Sequence, residues 1–550
     1  MPCFYFHPDA YETKDKKVMG RHVAGESFLK GYLKYGNCDQ LAIQVEKKSH
    51  ANLFKKMLAD CRVSKGFELY DRYASSSKFY EGVAFYPGPG LSDWAKNRSF
   101  VGDHSWSLCG ITHTTASHGA MDAIIDMTTA PLQPWDALIC TSSSVKQSVE
   151  DLLGPQIEYL RNRFKAQQFP LPQFPVIPLG VHSEKFAVAN NQDKKASRDS
   201  FGIPKDAIVI LYVGRLSFHA KANPFSMYKA IERASKESGR NIVLLECGWF
   251  YNSHIEECFA EASSSLCPSV HILKVDGLNS ERLKAAWYSA DIFCSFADNI
   301  QETFGITPVE AMAAGLPVVV SDWNGYKDTV RHGIDGFRVS TLLPSSLPRQ
   351  EIHRAHAVGQ IDYDTYLGLT SIQISVDHKE AYEAFLRLIE SESLRRTMGG
   401  NGLKRVADTY DWKVIIPQYE SLWDQLNQRR LWKKNSNSSL KFSYSCPSRP
   451  DPFDFFANYP TGRLEVFDLL VLTCNSNEFV DQFDRITKMK MFSSYATALM
   501  GRTQIMKMVE LLSISPQSVE TLSAMLSQDK AVVMRTMAFL VKIDLIEKAD

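Results

Sequence analysis

The sequence predicts an α/β fold with parallel sheets covered by helices, and three observations carry that expectation. Short apolar runs alternate with helical patterns in the middle of the chain, the order expected of βαβ units. Residues able to do chemistry fall just beyond those runs, where open parallel sheets bind ligands. A length of 550 residues exceeds one hydrophobic core, so two or three domains are expected.

Taken in chain order, the first candidate strand is Cys3–His7, and an amphipathic helix is expected from near Ser27. Between them, Met19–Glu26 reads as a Gly-containing loop able to approach a phosphate or an acceptor closely, which makes Gly20 a candidate contact. An ordinary helix N-terminus reads equally well there. Leu108–Thr115 passes from apolar to polar and puts His113 near a strand end, with His118 on the next segment as its rival. A lone histidine also suits a structural role. Trp135–Ser142 reads as a late strand of this half, and Val176–Val181 as the crossing to the next.

In the second half, Ile208–Val213, Ile242–Leu245, Val270–Leu273 and Ile292–Ser295 are strand candidates, with Ser280–Ser289 a helix between the last two. Arg215 follows the first run within Gly214-Arg215-Leu216, and Lys221 lies six residues past it. A guanidinium fork and an ammonium at a strand end suit a diphosphate. Gly248, Lys274–Asp276 and Glu302 also follow such runs and can converge with Arg215.

The most informative stretch is DNIQETFGITPVEAMAAGLPVVVSD, from Asp298 to Asp322. Glu302 ends a loop and Glu310 lies in the first turns of the following helix, so both can face one crevice. Pro308 suits the first turn, where its absent N–H costs nothing. Phe304, Gly305, Ile306 and Thr307 lie where free helix N–H groups and the dipole favour an anion. Ala311–Gly315 is small enough for close packing, and Leu316–Val320 reads as a buried parallel strand. The competing structural reading makes Glu302 a helix cap and Glu310 a solvated surface acid.

Glu302-x7-Glu310 within ETFGITPVEAMAAG resembles the signature of retaining, nucleotide-sugar-dependent glycosyltransferases of family 4, which have the GT-B fold of two Rossmann-like domains facing a cleft. The resemblance implies that Glu302 contacts the donor sugar, that the Phe304–Thr307 loop (Phe304, Gly305, Ile306, Thr307) holds sugar and diphosphate, and that Glu310 holds the ribose. It also implies that Arg215 and Lys221 stabilise the leaving diphosphate, with Lys221 one residue further from the Arg than the family's usual spacing, and that His113 lies near the transferred sugar. The segment Lys274–Asp276 corresponds to one near the base. The donor-binding set is completed by Gly20, although the family's paired glycines are here separated as Gly20 and Gly25.

The expected domains are 1–180 (Rossmann-like, acceptor side), 181–430 (Rossmann-like, nucleotide-sugar side), 431–450 (linker) and 451–550 (a helical, winged-helix-like module). Thr341–Leu369 reads as an inserted arm. In the module, helices are expected at Gln504–Ser513, Val519–Leu526 and Ala531–Val541. Arg535 and Lys542 accompany Met534, Met537 and Phe539, which is sparse charge for gripping phosphates, so a protein partner or a second copy is expected through 451–550 rather than DNA.

With 62 basic and 62 acidic side chains, no overall charge draws the chain to nucleic acid or anionic lipid. The 11 cysteines form no ligand cluster and read as reduced thiols; no metal and no cofactor are expected, the nucleotide-sugar being a donor substrate. No run is long enough to span a bilayer, and cytoplasmic residence is the expectation. The reading is a retaining hexosyltransferase-type enzyme acting on a carbohydrate, lipid or protein acceptor. A GT-B phosphorylase or epimerase, and an inactive sugar-nucleotide-sensing regulator working through the C-terminal module, stay open as alternatives.

Overall fold

The computed structural model describes residues 2–12, 20–61, 63, 65–72, 82–186, 188–345, 351–435, 447–495 and 498–549. They form two compact units, Met1–Cys446 and Pro447–Asp550.

The first unit contains two six-stranded sheets of parallel strands flanked by helices, two Rossmann-like halves. One sheet joins β1 (Pro2–Tyr5), β2 (Gln40–Val45), β3 (Gly66–Asp71), β4 (Val83–Tyr86), β5 (Ser107–Thr112) and β6 (Ala137–Cys140) in the order β3-β2-β1-β4-β5-β6. The other joins β7 (Ile208–Val213), β8 (Ile242–Gly248), β9 (His271–Asp276), β10 (Ile292–Ser295), β11 (Val318–Ser321) and β12 (Gly336–Val339) in the order β12-β11-β10-β7-β8-β9. The two windings are equivalent. Strands β5, β6, β10 and β11 are buried along their whole length, which is why they read as unbroken apolar runs. In the second sheet the order reverses between β7 and β10, and ligands of doubly wound sheets enter at such a point.

The helix Trp412–Asn435 completes the core of the first sheet. Trp412 is fully buried, and a Cβ on Gly31 or Gly180 would come within 2.7 or 2.4 Å of its indole. Further along the helix, Tyr419 packs on Phe28 and Phe85, and Trp423 on Phe4, Tyr32 and Phe85.

Several expectations change. Gly20 opens a helix, Gly20–Tyr35, so residues 20–26 are helical instead of looped, and Met19 lies outside the described residues. Gly25 is there for packing, since a Cβ would meet the Ala10 carbonyl oxygen at 2.0 Å. Lys274–Asp276 belongs to β9 itself. The helix ending the second half continues to Asn435, past the expected border at 430, and Arg430 is buried, donating to the carbonyls of His104 and Ser105. The linker residues 436–446 and arm residues 346–350 lie outside the described residues. The arm is a closed excursion: β13 (Thr341–Leu342) pairs antiparallel with β14 (Ser375–Val376), with helices Ile352–Ala357 and Tyr363–Ser371 between them.

The second unit has the three helices Arg502–Ile514, Val519–Leu526 and Lys530–Lys542, preceded by Ser476–Thr487, and an antiparallel pair of β15 (Leu470–Leu472) and β16 (Ile546–Lys548). Met537 is fully buried in its core and Arg535 donates to the Ala498 carbonyl, so much of the last helix serves packing. Phe453, Phe455, Tyr459 and Phe467 are exposed.

Candidate active site

β7 and β10 are neighbours, and the segments leaving their C-terminal ends carry Arg215, Lys221 and Glu302 to one place. Lys221 Nζ lies 2.5 Å from Glu302 Oε2. The other carboxylate oxygen of Glu302 accepts the backbone N–H groups of Thr303 and Gly305 at 3.2 and 3.1 Å. Burial alone would raise the Glu302 carboxyl, but the charge of Lys221 and these hydrogen bonds outweigh it and hold the group below its ordinary value. Glu302 therefore does cap its own loop, and the Gly305 N–H expected to point outward is already bonded to it.

Gly305 is the residue before the helix Ile306–Ala313, with φ +86°, and a Cβ there would meet Tyr326 at 2.1 Å, so both backbone and space require glycine. Phe304 turns inward, 2% exposed, against Tyr410. Ile306 and Thr307 form the first turn and Pro308 is buried beside them. In the second turn, burial pushes the Glu310 carboxyl up to about 7 against the opposing charge of Lys185.

Arg215 Nη2 donates to the Ala220 carbonyl at 3.0 Å. His113 follows β5, and its backbone oxygen accepts from Thr303 Oγ1 at 3.1 Å, which sets the first half directly against the Glu302 loop. Ser142 strengthens that contact, donating to the Thr303 carbonyl at 2.8 Å. Burial, with a smaller effect of Arg21, drives the His113 imidazole down to about 4, so it is neutral at pH 7. Arg21 follows Gly20, which places the start of that helix within electrostatic reach of His113. The rival His118 is exposed and stacks on His356 of the arm, which stacks in turn on Tyr366. Among the described residues, no hydrogen bond or ion pair joins Gly20 or Glu310 to the Lys221–Glu302 cluster. No group of His, Cys, Asp or Glu among the described residues could hold a metal ion. Among the described residues, no helix is long and apolar enough to cross a membrane.

Sequence reasoning did not single out Asp298, Asn299 and Gln301, which contact the loop carrying Lys221. Nor did it find His219, whose carbonyl accepts from Ser371 of the arm at 3.4 Å. Side-chain amides that bond carbonyls some eighty positions away leave no local pattern.

Residues 193–347, which include Arg215, Lys221 and both glutamates, match the family described as Glycosyl transferases group 1. Among curated proteins, the chain is 27% identical over 179 residues to an uncharacterized glycosyltransferase of Methanocaldococcus jannaschii, covering 32% of this chain and 44% of that one. It is also 27% identical over 209 residues to the D-inositol 3-phosphate glycosyltransferase of Corynebacterium urealyticum, covering 38% and 47%. The chain thus spans about half the length of the curated relatives it matches. Among solved structures it is similar to Anabaena HepE in complex with UDP, at 15% identity and a TM-score of 0.47, covering 79% of this chain and 99% of that one.

Proposed function

We propose that this protein is a retaining glycosyltransferase that moves a sugar from a nucleotide-sugar donor to an acceptor hydroxyl. The observation that carries the reading is the meeting of Lys221 with Glu302, beside Arg215, where the strand order of the second sheet reverses. The match of 193–347 to a glycosyltransferase family supports it. Arg215 and Lys221 take the negative charge that grows on the diphosphate as its bond to the sugar breaks. The acceptor oxygen bonds to the same face of the sugar carbon, and its proton passes to the departing diphosphate, so no covalent nucleophile and no cofactor are required. Glu302 and the loop 304–307 hold the sugar, Glu310 the ribose, and neutral His113 approaches from the first half. Positioning and charge stabilisation supply the rate.

The test is a thermal-shift screen against UDP-, GDP-, ADP- and dTDP-sugars, followed by assay of nucleotide release with an acceptor. A donor that stabilises the wild type, with the shift lost in Glu310→Ala, is expected. Arg215→Ala is expected to lower turnover by about a hundredfold or more with the fold intact; near-normal turnover would sink the assignment.

A further inference from the structure

The residues just ahead of Glu302 grip the loop that carries Lys221 almost residue by residue. Asn299, 1% exposed, donates from Nδ2 to the His219 carbonyl at 2.7 Å, while its Oδ1 accepts the Gln301 N–H at 3.0 Å. Gln301 donates from Nε2 to the Ala220 carbonyl, the same oxygen that Arg215 reaches. Asp298 Oδ1 accepts the Asn223 N–H at 3.2 Å. Then comes Glu302 on Lys221.

We propose that Asn299 and Gln301 are positioning residues which fix the loop 217–223, so that Lys221 and Arg215 hold one geometry toward a diphosphate. The inference rests on the reading of those two cations as the leaving-group site. Ordering the loop 217–223 costs backbone conformational freedom that its contacts must offset. Its own closure consists of the Lys221 and Ala222 N–H groups on the Ser217 carbonyl, at 3.0 and 3.2 Å. The two amides add restraint where that closure gives none, on the carbonyls of His219 and Ala220. A carbonyl oxygen only accepts, so the partner must donate, and an amide does so without bringing a charge beside Lys221. The geometry thereby couples the acidic motif to the cationic one through neutral groups as well as through the ion pair.

Asn299→Asp and Gln301→Glu keep size and replace the donor with an acceptor. In crystal structures of these variants, the loop 217–223 is expected to leave its place and the Lys221–Glu302 pair to open beyond about 4 Å, the range of an ion pair. A pair still closed in both variants would overturn the proposal. Titration with UDP, GDP, ADP and dTDP supplies the second arm. The diphosphate that binds wild type is expected to bind Asn299→Asp about tenfold more weakly, the scale of one hydrogen bond. In a Lys221→Ala background the same change should add little, because Asn299 acts through Lys221. Full additivity would mean that Asn299 acts elsewhere and would also overturn it. If wild type binds none of the four, the leaving-group reading fails, while the crystal structures still decide whether the amides place the loop.

Discussion

Lys221 and Glu302, 81 positions apart, form a 2.5 Å ion pair that joins the cationic and acidic motifs of the second sheet. On the proposed reading, an incoming diphosphate would compete with Glu302 for Lys221 and free its carboxylate to accept from sugar hydroxyls. The two motifs are electrostatically one site.

Removing the cation exposes that dependence. Because the Glu302 carboxyl is held low in the folded protein, its stabilisation is present above the ordinary value of 4.5 and is lost as pH falls through the folded value. Lys221→Ala is expected to cost about 2 kcal/mol at pH 7, less than a fully buried pair because both side chains keep some solvent contact. Urea unfolding should show the gap to wild type closing as pH drops below 4.5. A gap independent of pH would show that the pair contributes no titrating energy.

Glu310 has the opposite sign. Its folded value, about 7, lies above the ordinary 4.5, so between those limits the unfolded chain releases its proton first, and stability falls as pH rises until it levels above 7. Glu310→Gln keeps the group neutral. The variant is expected to match wild type at pH 4.5 and exceed it at pH 8 by about 1–3 kcal/mol in chemical denaturation. Equal gaps at the two pH values would mean that Glu310 does not titrate in this range.

Arg98 and Asp136 make a wholly buried pair in the first half, with contacts at 2.6 and 2.8 Å. Asp136 also accepts the N–H groups of Leu108 and Gln133. Arg98→Ala is expected to cost about 3–5 kcal/mol. The double change Arg98→Met/Asp136→Leu should not restore it, since the buried Leu108 N–H and the part-buried Gln133 N–H lose their acceptor. Melting temperatures of both variants check this, and full recovery in the double variant would contradict it.

A chain ending at Cys446 retains the whole first unit. It is expected to keep the nucleotide-sugar thermal shift of the full chain. Loss of that shift would favour a role for the C-terminal unit in the site itself.

The second half was the more legible. Ile208–Val213, Ile292–Ser295 and the helix Ser280–Ser289 coincide with expected elements because uniform burial or amphipathic periodicity marks them sharply. Gly20 and Gly25 misled because glycine signals either a turn or a close approach. At Gly25 the reason is the Ala10 carbonyl, a tertiary contact with no local trace. The meeting of Lys221 with Glu302 follows from strand order, as β10 returns beside β7, and the clasp by Asn299 and Gln301 follows only from three-dimensional register.

The helix Trp412–Asn435 has a bearing on biosynthesis. The ribosome releases β1 to β6 first, yet Trp412, Tyr419 and Trp423 arrive only after the second sheet has been made. At usual elongation speeds the nascent first half waits on the order of ten to fifty seconds with Phe4, Phe28 and Phe85 uncovered. A gene fragment ending at the crossing near Val181 would encode that half with its aromatic face permanently open. The first half therefore needs the end of the second to cover its aromatic face, and the two are expected to persist only when encoded together.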